Sequence, residues 1–423
     1  MELKFPEDFY WGAATSSHQV EGGNFNDWTE WERQNAGRLA QEAKAAWQEW
    51  QTKLFPQMAE PKNYLSGRAC DHYHYYEQDF DIAKQLNHNA HRFSVEWSRI
   101  EPEEGNFKQE EIEHYRQVIK TLRERGLEPF VTLWHWTNPV WVRDMGGWEN
   151  KKTIYYFLRY VGKLADAFGD DVKFWLPINE PTVYAGQGYI IGAFPPGVKN
   201  IFTADKVLKN LMRAHKETFE LLHKKFGDKV SVGSVHNLHY HTLYKRWNPL
   251  DNLAKRILEY IQNTRAINLF WSCSDFIGLN YYYRDTVKFV LGGRFGVADI
   301  ENPNTEISDL GWDVFPEGIY YVLLSLKKYQ KPVYITENGL ADIEDKRRAD
   351  FIREHLFWVH KAMENGVDVR GYFYWSLLDN FEWDKGFWPR FGLVEVNYQS
   401  LERKIRSSAL VYAKICQENK IDA

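Results

Sequence analysis

The sequence predicts a single-domain (β/α)8 TIM barrel, and three observations carry that expectation. Short β-branched or aromatic runs alternate with longer stretches of helical period, eight of each. No Gly/Ser- or Pro-rich linker divides the 423 residues. Polar residues inside the apolar runs fall mostly at the runs' C-terminal ends, where barrels of this kind assemble their sites.

The elements follow in order. The first strand candidate is 9–16 (FYWGAATS). Residues 33–68, rich in Ala, Gln, Trp and Lys with Pro56 and Pro61, read as a helical insertion, and amphipathic 71–87 leads to the second strand, 89–97 (NAHRFSVEW). Helix 110–125 stops at Gly126 before strand 128–136 (EPFVTLWHW), and helix 152–168 stops at Gly169 before strand 172–179 (VKFWLPIN). Helix 204–226, with Asp205 near its start and Gly227 past its end, precedes strand 229–238 (KVSVGSVHNL). Helix 250–270 precedes strand 275–282 (DFIGLNYY), after which 284–314 forms a Gly/Asn/Asp-rich loop excursion. Helix 316–330 leads to strand 332–337 (PVYITE). Helix 346–365, with Asp350 near its start and Gly366 past its end, leads to strand 369–376 (VRGYFYWS), and helix 401–418 completes the chain. Both excursions follow strands, so they should wall a pocket at the barrel's C-terminal face.

Composition narrows the function. With 44% hydrophobic and 26% charged residues and a net charge of −5, the chain reads as soluble and globular. It carries no long basic run, which argues against nucleic acid and anionic membrane as partners. Its start lacks a signal-like apolar stretch, and no run approaches the roughly 18 apolar residues that span a bilayer. Cys70, Cys273 and Cys416 are odd in number and lack a CxxC spacing; a cytoplasmic location is expected rather than a disulfide scaffold or thiolate zinc site. His72, His74, His88 and His91 do not have the spacing of a helical metal pair and read as helix-surface and interface histidines; no metal or cofactor is expected. The 40–53 run reads as a solvated helix face, with Trp47 and Trp50 available for a homo-oligomer contact. The 18 Trp, 25 Tyr and 26 Phe suit a pocket that stacks flat apolar faces while its polar groups bind hydroxyls, as sugars require.

Two carboxylates end apolar strands: Glu180, in Leu176-Pro177-Ile178-Asn179-Glu180-Pro181, and Glu337, in Tyr334-Ile335-Thr336-Glu337-Asn338-Gly339. An ionisable group beside a core strand is costly unless partnered. Strand-terminal salt bridges would explain each singly. Together, on strands four and seven across the barrel mouth, they match the acid and the partner carboxylate that glycosidic cleavage needs.

Five segments in order then give a resemblance: FYWGAATSSHQVEG (9–22), RFSVEWSRI (92–100), NEP (179–181), ITENG (335–339) and WSLLDNFEW (375–383). The chain resembles glycoside hydrolase family 1 β-glycosidases over nearly its whole length. The resemblance implies a retaining exo-β-glycosidase on terminal β-D-glucosides, with β-galactosides or β-fucosides, or short oligosaccharides, as further substrates. Glu337 would be the nucleophile and Glu180 the acid/base, at the separation of about 5–5.5 Å that retention uses. Arg92, with Glu96 as its alternative partner, should hold Glu337 ionised, and Tyr282 should donate to it. Burial and the Glu337 charge should keep Glu180 protonated, giving a bell-shaped rate profile on the acid side of neutrality. A transglycosidase with the same site, or a catalytically silent carbohydrate-binding barrel, are the alternatives.

Gln19, His135, Asn179, Glu382 and Trp383 resemble the family's glycone-gripping residues, Asn179 at the 2-hydroxyl. Glu382 argues against a 6-phosphosugar, which a carboxylate would repel. Trp375 resembles the glycone platform and Phe391 a wall near the hydroxymethyl group; Asn280 belongs to the same strand-end set. Trp136 is placed near the glycone and Trp134 in the wall. Asn237 matches a position near the nucleophile, and His236, His239 and His241 are placed on the aglycone side. The chain is compact for the family between its fifth and sixth strands, whereas the 33–68 insertion is long.

Overall fold

The computed structural model describes residues 2–293, 296–301 and 306–422; positions 294, 295 and 302–305 of the 284–314 excursion lie outside the described residues. Eight strands form a closed barrel in chain order: β1 Tyr10–Ala14, β2 Ala90–Ser94, β3 Glu128–Thr132, β4 Phe174–Leu176, β5 Ser231–Asn237, β6 Phe276–Asn280, β7 Val333–Asn338 and β8 Val369–Trp375. Every neighbouring pair is parallel, and β8 closes on β1 with Gly371 opposite Tyr10.

Aromatic side chains fill the interior. Tyr10, Phe174 and Phe276 open their strands, Phe130 stacks on Phe174 at 4.1 Å, and Phe373 meets Phe130 edge-on at 4.7 Å. This apolar plug fills the N-terminal half, so the polar strand-end residues are left to the opposite mouth.

Outside lie ten helices of the described chain that matter for the site: α1 Asp27–Ala46, α2 His72–Gln85, α3 Gln109–Glu124, α4 Lys152–Phe168, α5 Ile201–Phe226, α6 Pro249–Leu258, α7 Arg265–Phe270, α8 Glu317–Leu326, α9 Arg348–Glu364 and α10 Ser407–Glu418. They bury apolar stripes against the sheet; on α4 the stripe is Ile154, Phe157, Val161, Leu164 and Phe168. Each such large side chain removed from water contributes about 1.5–3 kcal/mol.

Where boundaries differ from the sequence reading, local chemistry explains it. Strand 172–179 shortens to Phe174–Leu176 because Pro177 has no N–H to continue the ladder. The insertion helix begins at Asp27, not 33, since Asn26 and Thr29 form a reciprocal cap at its start. Helix α5 starts at Ile201 because the Asn200 side chain accepts from the backbone of Phe202 and Thr203; Asp205 instead pairs with Lys209 and Arg265. Segment 250–270 is two helices separated by a π turn, Glu259–Thr264. The first residues of 401–418 form a strand, Arg403–Ile405, antiparallel to Val394–Val396. Of the four helix-end glycines, Gly126, Gly227 and Gly366 have positive φ, whereas Gly169 does not and instead admits the Phe226 ring. After β5 and β6, strands Tyr240–Leu243, Arg284–Phe289 and Ala298–Ile300 form an accessory sheet covered by α6. Among the described residues no helix is long and apolar enough to cross a membrane.

Candidate active site

Glu180 and Glu337 follow β4 and end β7 respectively, and both are buried. Glu337 Oε1 accepts from Arg92 Nη1 at 2.5 Å and Oε2 from the Tyr282 hydroxyl at 2.6 Å. Arg92 also donates through Nη2 to Asn179 Oδ1 at 2.6 Å and through Nε to Thr132 Oγ1 at 3.2 Å. Its partner is therefore Glu337, not Glu96. A planar fork suits this bridging of two acceptors.

Glu180 is held differently. Its Oε1 accepts from Asn280 Nδ2 at 2.6 Å, and Asn280 Oδ1 in turn accepts from Thr336 Oγ1 at 2.6 Å. Among the described residues no cation pairs with it. Burial first, and then the charge of Glu337, push its carboxyl up to about 8, against weaker opposition from Asn280 and Arg92. The sequence leads one to expect a rate profile on the acid side of neutrality; a carboxyl at about 8 places the loss of the acid form on the alkaline side. Tyr282 is raised well above its ordinary range by burial and by both glutamates, so it remains an O–H donor.

Arg92 also fixes a tautomer. Because Asn179 Oδ1 accepts from Arg92, its Nδ2 faces His135 Nε2 at 3.1 Å as a donor. The proton of neutral His135 then sits on Nδ1, an atom without a protein partner among the described residues. Burial, followed by the Arg92 charge, pushes His135 well below its ordinary range, so neutrality is expected throughout the working pH span.

The aromatic walls converge on the same place. His135 stacks beside Trp375 and Trp383 at 6.2 and 6.0 Å, and Trp136 meets Trp383 at 4.9 Å. Phe391 lies 6.3 Å from Tyr282. Gln19 Nε2 reaches Glu382 Oε2 at 3.3 Å and Phe381 O at 2.9 Å. Glu382 is pushed up to about 8 by burial first and then by Glu337, with Lys385 opposing. The structure thus brings together Gln19, Arg92, His135, Trp136, Asn179, Glu180, Asn280, Tyr282, Glu337, Trp375, Glu382, Trp383 and Phe391.

Two local features hold this arrangement. Trp136, Glu180 and Trp383 all have positive φ (78°, 42° and 48°). For such residues this costs on the order of 1 kcal/mol or more each, and persists only where the surroundings over-determine it. Trp136 is anchored by its Nε1 donating to Asn179 O at 3.0 Å. Gly339, two residues after Glu337, is required by close approach: a Cβ there would lie 1.8 Å from the carbonyl oxygen of Trp375.

Other expectations are corrected. Trp134, past the end of β3, packs against Trp148 and Tyr184 in the core. His236 is fully buried against Phe270, facing the helix layer rather than the aglycone side. His72 is buried, not on a helix surface, and bonds Asp79 at 2.7 Å. Trp47 is half-buried and meets Trp388 edge-on at 5.0 Å, while Trp50 is exposed. Asn237 ends β5 opposite Asn280. The sequence reading missed Thr336, which orients Asn280, and His18, which stacks on Trp383 at 5.4 Å and bonds Glu32 at 2.8 Å. It also missed Trp312, which packs on Tyr282 and Phe391. The HQ dipeptide at 18–19 and the ITEN tetrapeptide were the available signals for the first two.

The profile of glycosyl hydrolase family 1 matches residues 1–274 and 262–421. Beta-glucosidase A of Thermotoga maritima is 34% identical over 464 aligned positions, covering 99% of each chain. A beta-galactosidase of Sulfolobus acidocaldarius is 31% identical, covering 99% of this chain and 96% of its own. Among solved structures, a beta-glycosidase from Pyrococcus horikoshii superposes with a TM-score of 0.89 at 38% identity, covering 100% of this chain and 97% of that one. The beta-glucosidase from Thermotoga maritima in complex with glucoimidazole superposes with a TM-score of 0.84 at 31% identity, covering 99% of both. With its barrel, its paired glutamates and these relatives, the chain belongs to glycosyl hydrolase family 1 and is a glycoside hydrolase.

Proposed function

We propose that the protein is a retaining exo-β-glycosidase acting on terminal β-D-glucosides, with β-galactosides and β-fucosides as further substrates. The observation that carries this reading is the unlike treatment of two neighbouring carboxyls. Glu337 accepts from a guanidinium and a phenol, while Glu180, held by the amide of Asn280, is pushed up to about 8. One is suited to attack and the other to give a proton.

In the first step Glu337 attacks the anomeric carbon as Glu180 transfers its proton to the departing glycosidic oxygen. The C–O bond to the aglycone breaks and an ester to Glu337 forms. Esterification removes the Glu337 charge, so Glu180, now a carboxylate, is left to act as base. It takes a proton from water, whose oxygen attacks the anomeric carbon and releases Glu337. Asn179 and the Nδ1–H of His135 serve as hydroxyl contacts, Trp375 as the platform, and Gln19 with Glu382 as the grip at the far edge of the ring. Relatives that include a beta-glucosidase and a beta-galactosidase support a pocket for neutral hexosides.

The test is a panel of aryl β-glycosides varied at the glycone, with the product anomer followed by NMR. Release of the β-anomer first from glucoside and galactoside is expected. Initial release of the α-anomer, or turnover confined to 6-phosphoglucoside, would overturn the reading.

A further inference from the structure

Glu96 follows β2, outside the catalytic pair, and its side chain is fully buried. Its carboxylate contacts are to neutral donors. Oε1 accepts from Ser98 Oγ at 2.7 Å and the Ser98 amide at 3.4 Å, and Oε2 from Ser17 Oγ at 3.2 Å. Thr137 Oγ1 lies 2.9 Å from Oε2 and 3.1 Å from Oε1. Such a group is costly to bury, and an apolar residue could fill the same space.

The donors come from three different segments. Ser17 opens the turn of helix Ser17–Val20 that carries His18 and Gln19. Thr137 directly follows His135 and Trp136, the latter held at a φ of 78°. Ser98 lies in the helix Trp97–Ile100, which Glu96 itself caps. The donor direction is also fixed: Ser17 N–H donates to Ser94 Oγ, Ser94 Oγ–H to Ser17 Oγ, and Ser17 Oγ–H to Glu96. An amide at position 96 would face a donor already committed to donating.

We propose that Glu96 is a positioning residue that clamps the β1 and β3 loops together and so sets where Gln19, His135 and Trp136 meet the glycone. The proposal rests on the assignment of those three residues to the glycone under the proposed function. Two acceptor oxygens on one side chain accept from every segment at once, which a carboxamide with its single oxygen does not. It acts only through the residues it holds.

The test compares wild type with Glu96→Gln, Thr137→Val, Gln19→Ala and the Glu96→Gln/Gln19→Ala double variant. Readouts are kcat and KM on an aryl β-glucoside and on its monodeoxy analogues, with thermal melting followed by circular dichroism. Glu96→Gln is expected to fold and to lose about ten-fold or more in kcat/KM on the full glucoside, the scale of a sub-ångström misplacement. That loss should shrink on the analogue lacking the hydroxyl that Gln19→Ala identifies, and in the Gln19→Ala background Glu96→Gln should cost less than it does in wild type. Unchanged kcat/KM in a folded Glu96→Gln, or an equal loss on every analogue with additive double-variant effects, would overturn the proposal. If Glu96→Gln does not fold, Thr137→Val loosens the same clamp and must show the same hydroxyl-selective loss. If Gln19→Ala has no hydroxyl-selective effect, the glycone assignment fails as well; if it has one and Glu96→Gln does not couple to it, only the clamp is lost.

Discussion

Arg92 and Glu337 meet at 2.5 Å between Nη1 and Oε1, while the second arm of the same guanidinium reaches Asn179 Oδ1 at 2.6 Å. One side chain thus orients the proposed nucleophile and, through Asn179, the tautomer of His135. Arg92→Lys keeps the charge but loses the fork. We expect kcat/KM to fall on the order of 10²–10³-fold, as when a preorganised donor is removed from a reacting centre. Steady-state kinetics on an aryl glucoside check this; activity within three-fold of wild type would show that the fork is dispensable.

Removing the nucleophile should leave a site that an external anion can use. Glu337→Gly is expected to lose at least about 10³-fold in kcat. Azide should restore turnover of a substrate with a good leaving group and yield an α-glycosyl azide, since it attacks from the vacated face. The acid/base variant Glu180→Ala with azide should give the β-glycosyl azide, because displacement then follows the covalent intermediate. NMR of the two products distinguishes the roles, and the opposite stereochemistry would exchange the assignments.

The pH dependence follows from Glu180. Its carboxyl is raised from an ordinary 4.5 to about 8 in the folded protein, so it is protonated below that pH and loses the proton above it. The rate on an unactivated glycoside should therefore decline as pH rises through about 8. Glu180→Gln should abolish that alkaline limb and lower the rate by about 10²–10⁴-fold, less with leaving groups that need no proton. A pH–rate profile for both proteins is the measurement.

Glu382 links activity to stability. Folding raises its carboxyl from 4.5 to about 8, so the folded state binds its proton more tightly than the unfolded state does. The stabilisation is fully present below 4.5 and is lost as pH rises through about 8. Glu382→Gln should melt with a smaller decline in Tm between pH 5 and 8 than wild type. A decline remains, since Glu180 and Asp27, the latter raised by burial to about 7, contribute in the same direction. Glu382→Ser or →Ala should also lose much of the activity on glucosides and galactosides; an unchanged rate would remove Glu382 from the glycone contacts.

The alternation of strand and helix, and the placement of Glu180 and Glu337 at strand ends, were legible in the linear order of residues. Both are local properties: side-chain period, turn chemistry and the cost of a charge beside an apolar run. The family segments then named most residues that the barrel gathers. What periodicity could not supply was the side to which a residue turns after a strand ends. Trp134 and Trp136 look alike in sequence, yet one packs in the core and the other, at positive φ, faces Trp383.

Partnership was legible only in part. Arg92 meets Glu337 across 245 positions as expected, but nothing in the linear order showed that Asn280 would hold Glu180 or that Glu96 would find Ser17 and Thr137 on different loops. The sequence by itself determined the barrel and the chemistry available at its mouth. Only the tertiary structure decided which way each side chain turns and which loops hold it there, because that depends on contacts between segments distant along the chain.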